Sequence, residues 1–129
     1  MFEIHKIISE LSIASFCDDI KISDDSSIEF KSRYAFHENQ RKETYSIIKT
    51  GNDFILTDKG STLAILDDIF ELETPDVIKY IDAILLQYNI RKIDSELHYT
   101  LFPSINISSQ ILRYLQGINF LFAMKIFYT

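Results

Sequence analysis

Tryptophan is missing from this chain, and glycine, proline and cysteine are nearly so, at three, two and one in 129 residues. Each shortage excludes something. So few glycines and prolines rule out a collagen-like or linker-rich polymer. They also weigh against a phosphate-cradling loop, which needs several close glycines so that backbone N–H groups can reach the anion. One cysteine, Cys17, cannot make an intrachain disulfide, and this points to a reducing compartment, with a cytoplasmic location expected. Basic residues are outnumbered, 13 to 19, giving a formal net charge of −6 and a pI near 4.9. The general attraction to phosphate backbones is therefore lacking, and no direct nucleic-acid contact is expected. A basic protein partner is favoured instead.

Long apolar runs are also lacking. The richest, Ile111 to Phe127, is broken by Arg113, Gln116, Asn119 and Lys125 and reads as a buried helix, so no membrane partner is expected. The first residues, Met1-Phe2-Glu3-Ile4-His5-Lys6, have neither the basic start nor the apolar stretch of a signal peptide.

What the chain does contain is globular: 47% hydrophobic, 13% aromatic and 25% charged residues. The length suits one α+β domain spanning residues 1–129, with a helix first, then a meander of about four strands, then helices around one further short strand. Residues 2–16 carry Ile4, Ile7, Ile8 and Leu11 at helical spacing. The period then changes. Ile20 and Ile22 alternate with Asp19 and Lys21, and after the turn-forming residues 24–27 a second strand places Ile28, Phe30, Ser32, Tyr34 and Phe36 on one face. Thr44 to Lys49 and Asn52 to Thr57 follow as a hairpin through Gly51. Asp58-Lys59-Gly60 stops the sheet, and Ser61 or Thr62 is expected to cap a helix reaching Phe70, with Leu63, Leu66 and Ile69 inward. Thr74-Pro75-Asp76 opens the next helix, which runs to about Tyr88 and buries Val77, Ile78, Ile81, Ile84 and Leu85. Leu97, Tyr99 and Leu101 alternate as a fifth strand. Ser108 or Ser109 then starts a helix carrying Ile111, Leu112, Leu115, Ile118, Leu121 and Phe122.

Four constellations are candidates for function. Asp19 with Glu29-x-Lys31 has the outline of a nuclease centre, in which two carboxylates would hold Mg²⁺ and a lysine would orient water. Asp67, Asp68, Glu71 and Glu73, together with Asp58, make an acidic binding region. Thr57, Asp58 and Gly60 form a turn at a sheet-to-helix junction, which suits local backbone bonding. Phe120, Met124 and Phe127 spread the last helix's apolar surface beyond one stripe and suggest a homodimer face. His5, His37 and His98 lack metal-ligand spacing, and Cys17 has no close Cys or His, so neither a metal nor a cofactor is expected.

The stretch from Asp19 to Phe122 resembles a bacterial and phage family, domain of unknown function 1828. The resemblance is carried by Asp19-Ile20-Lys21-Ile22, by the run from Phe54 through Asp58 and Gly60 to Leu63, and by Leu66. Two departures stand out: Lys59 occupies a position where the family shows a second Asp, and Ser15-Phe16 replaces a Thr-Pro pair. The resemblance implies no catalytic residues. It implies a small protein of phage or mobile elements, similar to those that block host nucleic-acid-binding defence enzymes, of the anti-CRISPR or anti-restriction type. A non-enzymatic protein-binding module is the leading expectation. A metal-dependent nuclease and a small regulatory or structural subunit are the alternatives.

Overall fold

A computed structural model of the chain describes residues 7, 9–11, 17–24, 27–32, 44–102 and 104–123. A short N-terminal helix, α1, is described at residues 7 and 9–11. It is followed by strands β1 (Cys17–Asp24), β2 (Ser27–Ser32), β3 (Thr44–Thr50) and β4 (Asp53–Thr57). Helices α2 (Ser61–Asp67) and α3 (Pro75–Gln87) come next, then β5 (Arg91–Ile93), β6 (Glu96–Leu101) and helix α4 (Ile107–Phe122). The expected α+β architecture is present.

The strands form one six-stranded antiparallel sheet in the order β1-β2-β3-β4-β6-β5. The first four follow each other as the meander that the alternation predicts. Gly51, at φ 64, makes the β3–β4 turn. The period-2 pattern sets the register: Phe30 opposes Tyr45, Ile28 opposes Ile47, and Ile47 opposes Leu56. These side chains and Phe54, Leu97 and Leu101 share one face and are buried. Tyr34 and Phe36, expected on the same face, lie outside the described residues, as do Ile4 and Ile8, expected on the first helix. Ile7 and Leu11 of α1 are buried in the core.

α4 closes the apolar face. Its Tyr114 ring meets Tyr45 edge-on at 6.0 Å, and Tyr45 stacks on Phe30 at 5.8 Å. Ile107, Ile111, Leu115, Ile118 and Leu121 are all at most 1% exposed. Burial of that kind contributes roughly 1.5–3 kcal/mol per large aliphatic side chain. The turn that follows α3 packs on α4 where Gly117 leaves room. A Cβ there would come within 2.9 Å of Ile90 Cδ1 and 3.1 Å of Tyr88 Cγ.

Several expectations need correction. A sixth strand, β5, was not foreseen. It has three residues, all exposed, so it carries no burial period to detect. Tertiary pairing with β6 creates it, through a two-residue turn in which Asp94 and Ser95 both take positive φ (49 and 69). α2 ends at Asp67, and Ile69 is exposed rather than inward, because the chain unwinds through Phe70, which takes the buried place. Ile78 and Leu112 are also exposed. Each lies at the margin of its helix's apolar stripe, where periodicity alone cannot separate edge from core. α4 starts at Ile107, ahead of either serine. Asn106 caps it by accepting from the Ser109 N–H at 2.9 Å, and the Glu10 carboxylate of α1 accepts from the Ile107 N–H at 3.0 Å.

Candidate functional site

The two sides of α2 hold very different carboxylates. At its start, β4 runs out at Thr57 and the chain turns through Asp58, Lys59 and Gly60. Lys59 (φ 59) and Gly60 (φ 87) are both left-handed, and the second suits only a residue without Cβ. Asp58 holds this turn. Its Oδ1 accepts from the Gly60 N–H (2.9 Å) and from the Leu97 N–H of β6 (3.0 Å), and its Oδ2 accepts from the Thr62 N–H (3.1 Å). Its carbonyl accepts from Ser61 Oγ at 3.1 Å. Neither Ser61 nor Thr62 caps α2. Gly60 occupies the cap position without a side chain, and Asp58, two residues earlier, supplies the oxygens.

Asp58 is 0% exposed, which removes it from the acidic binding region in which the sequence placed it. With both oxygens bonded to backbone N–H groups and no exposed surface, this carboxylate is out of a partner's reach.

Three residues join this junction that sequence spacing did not bring to it. Thr57 lies opposite His98 in the β4–β6 register. Thr57 Oγ1 donates to Glu96 Oε1 at 2.8 Å and accepts from the Lys59 N–H at 3.1 Å. His98 Nε2 lies 3.0 Å from the same Glu96 oxygen. The His98 hydrogen bond holds the Glu96 carboxyl below the usual glutamate range, with help from Thr57 and against the opposing effect of burial. Beneath them the Tyr114 hydroxyl donates to the Leu97 carbonyl at 2.7 Å. Complete burial pushes that phenol well above its ordinary pKa, and the nearby Asp58 charge adds to the shift. The Thr57 and Asp58 contacts span 39 residues, so local pattern carries no sign of them.

At the other end of α2 the chain crosses to α3 through Asp68 to Thr74. Asp67 at the end of α2, Asp68, Glu71 and Glu73 on this connector and Asp76 in the first turn of α3 are all exposed, while Phe70 is buried and Leu72 packs against the core. The anchors fix the connector's path, and the acids between them face water. Ile69, at 42% exposure, stands among them.

Of the three residues of the nuclease expectation, Lys31 and Asp19 come together. Lys31 Nζ lies 3.9 Å from Asp19 Oδ2 across the β1–β2 pair, at a bulge where Asp19 takes φ 52. Glu29, two residues before Lys31 on the same strand face, lies opposite Lys21. Among the described residues, no three His, Cys, Asp or Glu side chains are grouped so as to hold a metal ion. Cys17 is buried at the start of β1. Phe120, expected on an oligomer face, is 44% exposed and stacks on Tyr88 of its own chain at 5.9 Å. Met124 and Phe127 lie outside the described residues. No described helix is long and apolar enough to cross a membrane.

Comparison with known protein families, with curated proteins and with solved structures found no match for this chain.

Proposed function

We propose that this protein is a non-enzymatic binding module that docks a basic protein surface through the acidic α2–α3 connector. The observation that carries this reading is the exposure of Asp67, Asp68, Glu71, Glu73 and Asp76 on a segment whose path is fixed by buried Phe70. Five carboxylates within ten residues set up a local negative potential, and a fixed backbone limits the entropy lost on docking. A basic surface of the kind that nucleic-acid-binding enzymes present would complement it. An inhibitor of a host defence enzyme, as the family resemblance implies, would use it by covering that surface.

The test compares the tagged protein with a variant carrying Asp67→Asn, Asp68→Asn, Glu71→Gln and Glu73→Gln. Both are used to capture partners from source-cell lysate at moderate salt. The reading expects a stoichiometric basic partner, held by the parent protein, released near ~0.5 M salt by screening and lost by the variant. A partner retained equally by the variant, or unaffected by salt, would overturn it.

The approach of Lys31 to Asp19 supports a second reading, a metal-dependent nuclease using Asp19, Glu29 and Lys31. It predicts Mg²⁺- or Mn²⁺-dependent cleavage of nucleic acid that Glu29→Ala abolishes, and cleavage unchanged in that variant would eliminate it.

A further inference from the structure

We draw no further inference here: the strongest candidate, the surface patch of Phe102 and Ile105 on the β6–α4 loop that the buried Gln110 amide ties in place, is an unpartnered apolar surface, and nothing in the structure shows what covers it.

Discussion

Asp58 and Asp68 stand ten residues apart, at opposite ends of one short helix. Asp58 is sealed from water and bonded to three backbone N–H groups, one of them on a strand 39 residues away. Asp68 lies in solvent with three other carboxylates of the acidic region close by in sequence. The first carboxylate is consumed by the fold, because a sheet that stops and a helix that starts leave N–H donors in need of an acceptor. The second owes the fold nothing and is free to meet a partner. Acidic residues close in sequence are therefore not one acidic site, and the burial around each decides which of them can act.

If that contrast is right, substitutions at the junction will alter stability and substitutions on the connector will alter binding. The largest stability loss is expected for Asp58→Ala, which orphans three N–H groups in a buried turn. At about 1–3 kcal/mol for each buried unsatisfied group, partly relieved by relaxation, the cost should be on the order of 3–5 kcal/mol in urea unfolding. Asp58→Asn should recover part of it, because a carboxamide oxygen can still accept the two bonds that Oδ1 takes. A loss under ~1 kcal/mol for the alanine variant would mean that the junction is held by packing alone.

Tyr114→Phe should cost less, about 1–2 kcal/mol, since the ring and its contact with Tyr45 remain and one buried hydrogen bond to the Leu97 carbonyl is lost. The same unfolding measurement checks it. A neutral result would show that the Leu97 carbonyl finds another donor.

Glu96 offers a smaller effect with a defined sign. Its folded pKa lies below its ordinary value, so the folded state binds the proton less readily than the unfolded chain. The stability it contributes is fully present above the unfolded glutamate pKa and is lost as pH falls through the lowered folded value. Its side chain is 38% exposed, and solvent screening keeps the contribution to a few tenths of a kcal/mol. Stability followed from about pH 6 to about pH 3 should decline less steeply in His98→Ala than in the parent protein. An equal slope would remove His98 as the cause.

Equally small should be the stability change in the fourfold connector variant, within about 0.5 kcal/mol, because no named fold contact depends on those side chains. Its partner affinity is the quantity expected to fall. A connector variant that unfolds would erase the contrast with the junction.

Much of the frame was legible before the structure. Period-2 alternation from Ile28 to Ser32 and the glycine hairpin at Gly51 gave the meander, and Thr74-Pro75 gave the start of α3, because both are signals within a few residues of chain. The candidate site was legible only in part. Asp67, Asp68, Glu71 and Glu73 are exposed as read, while Asp58 was grouped with them because proximity in sequence does not report solvent access. Glu96 and His98 gave no local signal of their place beside Thr57, nor Tyr114 of its bond to the Leu97 carbonyl.

The sequence by itself determined the α+β class, the buried face of β2 and the acidic balance, since periodicity and charge are properties of local chain, whereas Ile22 of β1, read as inward, is 55% exposed. Only the tertiary structure decided that β6 inserts between β4 and β5, that Asp58 is buried and Asp68 is not, and that one carboxylate oxygen of Glu96 serves both Thr57 and His98. Those outcomes depend on backbone donors and packed side chains meeting from distant positions, and such meetings are fixed by which surfaces fit together once the core closes.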